Sequence, residues 1–127
     1  MSREVIATNE APAAIGPYVQ AVKANGFLFT SGQIAIDPST QQFIGGDIVA
    51  QTERVMKNLM AVLKEAGLTP ANVVKTTCFL KNIGDFATFN GIYGEYFGQT
   101  APARSCVEVA KLPKDALVEV ELVAVCD

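Results

Sequence analysis

Two stretches constrain this chain's fold more than any others, Val73–Leu80 and Val118–Val125. Both alternate with a period of two, which predicts β-strands. Val118, Val120, Leu122 and Ala124 make one face of the second strand, and Glu119, Glu121, Val123 and Val125 make the other. In Val73–Leu80 one face reads Val74, Thr76, Cys78 and Leu80, and the other Val73, Lys75, Thr77 and Phe79. A sheet with helices on one side and water on the other should show a polar outer face. Here the outer face is half apolar, so something besides solvent must cover it. Composition points the same way. Hydrophobic residues are 50% of the 127 residues and charged residues 18%, against about 25% charged in ordinary domains. The excess predicts an oligomer, its second sheet face packed on other subunits.

Only two segments read as helices. Ile48, Thr52, Val55, Leu59, Val62 and Ala66 recur at spacings of three and four, predicting a helix over Asp47–Ala66. Asp47 is its N-cap, Gly67 its left-handed C-terminal residue, and Pro70 follows. A shorter helix, Asp85–Phe97, carries an aromatic face of Phe86, Phe89, Tyr93, Tyr96 and Phe97 that reads as core. Asp85 can cap it and Gly98 can end it; Gly91 and Gly94 weaken it and leave room for a close neighbour. Further strands are expected at Val5–Ala7, Val19–Val22, Phe27–Thr30 and Arg104–Val109, with a hairpin at Asn25-Gly26. Helices between strands allow parallel pairs, and the hairpin is antiparallel. The expected class is α+β: a six-stranded mixed sheet with two helices on one face, in a single domain over residues 1–127.

The chain has no histidine. That excludes Ser-His-Asp and Cys-His catalysis, imidazole acid–base work and imidazole metal ligands. A net charge of −3 argues against nucleic acid as a partner. Cys78, Cys106 and Cys126 are odd in number and lack CxxC spacing, so a reducing, cytoplasmic setting fits. No apolar segment follows the first residues as in a signal peptide, and no run reaches membrane-span length, so no membrane role is expected.

Few residues remain to carry chemistry. Of three arginines, Arg3 is terminal and Arg54 lies on the polar side of a helix. Arg104 starts an apolar strand, where its guanidinium could grip a carboxylate or form a structural salt bridge with Glu119 or Glu121. Glu119 and Glu121 share a strand face about 7 Å apart. They read as desolvated carboxylates able to hold a water or move a proton, or as a solvated edge strand. Tyr18 follows a stiff Ala/Pro-rich loop. Gly32, in Thr30-Ser31-Gly32-Gln33, permits close approach of a ligand. Cys106 reads as a small buried side chain, since no histidine is present to activate it.

Taken together these residues resemble the RidA/YjgF family of reactive-intermediate deaminases. The matching stretches are Ala13–Gln20, Thr30–Ile34, Val74–Thr77, Asp85–Thr88 with Asn90, Pro102–Ala110, Leu112–Asp115 and Glu119–Glu121, collinear over nearly the whole chain. The resemblance implies a chorismate-mutase-like fold assembled as a homotrimeric barrel, with active sites in clefts between subunits. It implies hydrolysis of 2-enamine and 2-imino acids, such as 2-aminoacrylate/2-iminopropanoate and 2-iminobutanoate, to 2-keto acids and ammonia. No cofactor or metal is implied. Arg104 matches the family's carboxylate binder and Glu119 its water-holding carboxylate. Cys106 matches a backbone N–H donor, and Tyr18, Ser31, Gly32 and Asn90 match cleft positions. The alternatives are a non-catalytic 2-keto-acid sensor of the same fold, an RNA-cleaving or translation-inhibiting protein, and a redox or holdase role for the cysteines.

Overall fold

Asn25 and Gly26 take φ of 52° and 83°, the left-handed backbone that a tight two-residue hairpin requires. They join β2 (Ala21–Ala24) to β3 (Phe27–Thr30) in a computed structural model that describes residues 2–126. β1 (Arg3–Ile6) precedes this hairpin. A small hairpin follows it, β4 (Ile36–Asp37) with β5 (Gln42–Phe43), which the sequence did not announce. Then come α1 (Ile48–Glu65), β6 (Val73–Leu80), α2 (Phe86–Phe97), β7 (Ala103–Glu108) and β8 (Val118–Val125). The six-stranded sheet runs β1-β2-β3-β8-β6-β7. β6 and β7, joined through α2, are parallel, and every other pair is antiparallel.

β2 begins two residues later than the expected Val19–Val22. Gln20 explains the delay. It is buried, and its side-chain amide donates to the carbonyls of Thr8, Ala11 and Pro12 at 3.0, 3.3 and 2.7 Å while its oxygen accepts from the Thr8 N–H at 2.7 Å. The residue ties down a loop instead of extending a strand. β7 likewise runs one residue earlier than expected, Ala103–Glu108.

The Asp47 carboxylate accepts from the Ala50 N–H at 2.9 Å, capping α1 as expected. Gly67 ends the helix at φ 77°. Asp85 stands at the N-cap position of α2 without capping it through its side chain. It closes a 3-10 turn, Ile83–Asp85. Among the described residues no neighbour presses on Gly91 or Gly94: a Cβ built on either would meet nothing within 4 Å.

Both helices lie on one face of the sheet. Val55, Met56, Leu59, Val62 and Leu63 of α1 pack in one cluster with Leu28, Val118, Val120, Leu122 and Ala124. Each fully buried Val, Leu or Met side chain among these contributes about 1.5–3 kcal/mol. Phe89, Tyr93 and Phe97 of α2 complete that core, with Phe86 and Tyr96 half-buried at its margin. The start of β6 departs from strict alternation. A register shift between Val73 and Lys75 turns Val73 inward and leaves Val74 43% exposed, the reverse of the expected order. A bulge inserts one residue and so inverts the faces before it.

The opposite face is open in the single chain. Val5, Phe27, Phe29 and Val107 are 48%, 39%, 47% and 44% exposed. Four large apolar side chains on one sheet face exceed the scattered exposure that single proteins ordinarily show. No described helix is long and apolar enough to cross a membrane.

Candidate active site

Tyr18, Ser31, Gly32 and Glu119 converge on one cavity of about 630 Å³. Local bonding holds each in position. The Gln20 bonds fasten the stretch before Tyr18, where Ala11 and Pro12 are buried. Gly16 turns that loop at φ 108°, a backbone glycine reaches without steric cost. Tyr18 itself is 49% exposed. The Ser31 hydroxyl donates to the Val19 carbonyl at 2.6 Å, and the Ser31 N–H to the Gln20 carbonyl at 2.9 Å. Gln33 then bridges to β8, exchanging backbone bonds with Val120 at 2.9 and 3.2 Å.

This bridge lays Gly32 against Glu119. A Cβ at position 32 would overlap the Glu119 carboxylate, so the close approach needs glycine here. Glu119 is half-buried on β8, a central strand between β3 and β6, which overturns the solvated-edge reading. Burial, and then the neighbouring Glu121 carboxylate, hold its carboxyl above the usual range.

Arg104 lies elsewhere. It pairs with Thr76 across β6 and β7, and its guanidinium turns toward α2. Its Nη1 donates to Asn90 Oδ1 at 2.6 Å. Its Cζ sits 4.8 Å from the centroid of the Tyr93 ring and 5.3 Å from that of Phe86, within cation–π range. The Tyr93 hydroxyl is in turn 2.7 Å from Thr76 Oγ1. Phe86, Asn90 and Tyr93 stand at i, i+4 and i+7 on α2 and so share a helix face. The aromatic face read as core is thus partly a platform for Arg104, and the 86/90/93 spacing is the signal that could have revealed it.

Cys106 shares the Arg104 side of β7, opposite Cys78. Burial pushes the Cys106 thiol above its usual value despite the nearby Arg104, and pushes Cys78 up to about 12. Neither thiol is a ready nucleophile at neutral pH. Cys106 is only half-buried, less than expected. As an edge strand, β7 has backbone groups that no neighbouring strand takes up among the described residues.

Arg104 and Glu119 do not meet within one chain. Arg104 is opposite Thr76, and Glu119 is opposite Phe79. Those partners are three residues apart on β6, so their side chains leave opposite faces of the sheet. The expected alternative of an Arg104 salt bridge to Glu119 or Glu121 is therefore wrong; its partner is Asn90. The structure assembles two clusters, Tyr18–Ser31–Gly32–Glu119 and Arg104–Asn90–Cys106, with the sheet between them.

Comparison with known proteins places the chain. The Endoribonuclease L-PSP family profile matches residues 8–126. A RutC family protein of Synechocystis is 60% identical over 98% of each chain. The 2-iminobutanoate/2-iminopropanoate deaminase of Salmonella typhimurium is 49% identical over 96% of this chain and 97% of its own. Among solved structures, E. coli TdcF with bound serine superposes with a TM-score of 0.92 at 42% identity, over 98% of this chain and 99% of that one. The E. coli YjgF gene product gives 0.90 at 47% identity, over 96% and 98%.

Proposed function

This chain belongs to the Endoribonuclease L-PSP family, the family of YjgF and RidA, and from that premise we propose that it hydrolyses 2-imino acids and their 2-enamine tautomers to 2-keto acids and ammonia. The observation that carries the reading is that the fold holds both a braced guanidinium and a half-buried carboxylate, each in its own cluster. The substrates share one fixed group, a carboxylate beside the C=N bond. Arg104, held by Asn90 and stacked on Tyr93 and Phe86, supplies a fork suited to that carboxylate. Glu119 holds a water and accepts its proton as the oxygen bonds to the imine carbon. The C–N bond of the resulting carbinolamine then breaks, the nitrogen leaves protonated as ammonia, and the carbonyl forms. Ser31 and Tyr18 line the Glu119 side, and a backbone N–H at Cys106 lies beside Arg104 to bond the reacting nitrogen or oxygen. An imine is already prone to hydrolysis, so positioning and one proton relay suffice.

The two clusters lie on opposite faces of one sheet, so a complete site needs Arg104 from one copy and Glu119 from another. A homotrimer with its sheets turned inward as a barrel would supply such clefts and cover Val5, Phe27, Phe29 and Val107.

In an ammonia-release assay coupled to a Ser/Thr dehydratase, Arg104→Ala should lower kcat/KM by about 10²-fold or more, as expected for losing a charged hydrogen-bonding partner. Full activity in that variant would refute the assignment. The second reading, a small-carboxylate binder without turnover, draws on the serine bound to the TdcF structure. Glu119→Gln separates the two: carboxylate binding survives in both, whereas ammonia release is there to be lost only in the enzyme. The family's name also offers RNA cleavage. The absence of histidine and a net charge of −3 weigh against it, and a steep salt-dependent RNA affinity would favour it.

A further inference from the structure

The turn Pro113–Asp115 holds two consecutive non-glycine residues in the left-handed region, Lys114 at φ 59° and Asp115 at φ 54°. Glycine takes that backbone freely; a lysine does not. Neighbouring bonds nonetheless hold the turn. The Asp115 N–H donates to the Leu112 carbonyl and the Ala116 N–H to the Pro113 carbonyl, both at 3.1 Å. Lys81 Nζ donates to both Asp115 carboxylate oxygens at 3.0 and 3.1 Å, and the Lys81 N–H to the Leu117 carbonyl at 3.0 Å. This strained, braced turn is part of the candidate site: Pro113 and Lys114 line the Glu119 cavity. Of the residues lining that cavity, Lys114 is the only cation, and Glu119 the only other charged group. Backbone strain beside the candidate cavity marks the Lys114 side chain as a candidate for ligand contact.

The charges say what Lys114 would do. The chain carries −3, and Glu119 and Glu121 share the face beside the cavity. A carboxylate substrate approaching Glu119 meets repulsion on that side. We infer that Lys114 is a specificity-determining residue that draws anionic ligands into the Glu119 cavity. The inference rests on the anionic substrate class proposed above. It acts on encounter, through a potential that salt screens, and takes no part in bond breaking.

The test compares Lys114→Gly, which removes the charge and relieves the backbone, with Lys114→Arg, which keeps the charge. In the dehydratase-coupled assay Lys114→Gly should lower kcat/KM about fivefold at about 0.01 M salt, with kcat unchanged. The gap should close at about 1 M salt, where the Debye length is near 3 Å. Lys114→Arg should restore the rate, and Lys114→Gly should melt no lower than wild type. A deficit that ignores salt, an arginine variant as poor as glycine, or a glycine variant equal to wild type would overturn the inference while leaving the reaction standing. If wild type releases no ammonia, the reaction fails instead. Calorimetric affinity for 2-oxobutanoate then reads Lys114 alone, and equal affinity in wild type and Lys114→Gly, or none in either, overturns it.

Discussion

The proposed role of Glu119 turns on one titration. Burial is the larger cause of its raised pKa and the Glu121 carboxylate the smaller. Only the ionised form can accept a proton from water, so activity should fall as pH drops through this raised value. Glu121→Gln removes the second cause and leaves the first. The acidic limb of kcat/KM against pH should therefore move to lower pH in that variant, yet stay above an ordinary glutamate near 4.3. A limb that does not move would mean Glu121 does not act on the Glu119 carboxyl. The sign for stability is the opposite of the usual acidic case. A folded-state pKa above the unfolded value makes ionised Glu119 destabilising at neutral pH, and that cost is relieved as pH falls through the folded pKa. Glu119 stood out in the sequence because two carboxylates alternated with valines. What its surroundings did to it was not visible there, because desolvation depends on Gly32 and the 31–34 segment, which are distant in the chain.

At the scale of elements, long periodic segments were legible and irregular ones were not. α1, β6 and β8 lie where their apolar spacing put them, because burial of one face dictates both periodicity and register. β2 slipped because Gln20 spends its side chain on loop carbonyls, a choice no local propensity records. The bulge at Val73 and Val74 escaped for a similar reason: it answers to the register of β8, not to its own residues. The bridge between Gln33 and Val120 is the element-scale device that shapes the candidate site, and Gly32 is its contact point. Gly32→Ala should displace the Glu119 carboxylate and lower kcat by about 10-fold or more, with carboxylate affinity little changed if Arg104 supplies it. An alanine variant with wild-type kcat would show that the close packing of Gly32 on Glu119 is not needed.

For the whole molecule the decisive fact is the uncovered sheet face. Phe29 is 47% exposed there, in register with Val22 on one side and Val123 on the other. Phe29→Glu should convert the proposed trimer to a single-chain species in light scattering and abolish turnover with it, since the two clusters could no longer meet. A wild-type protein that is monomeric at micromolar concentration, yet active, would refute the shared site. The sequence by itself determined the α+β class, both helices and the half-apolar outer face, and singled out Arg104 and Glu119 as candidates, because periodicity and residue chemistry are local properties. Only the tertiary structure decided that Arg104 binds Asn90 over Tyr93 and Phe86, that Glu119 sits on a central strand, and that the sheet separates the two. Those facts depend on which strands are neighbours and on which face each side chain leaves the sheet, and strand order is set by packing across the whole chain.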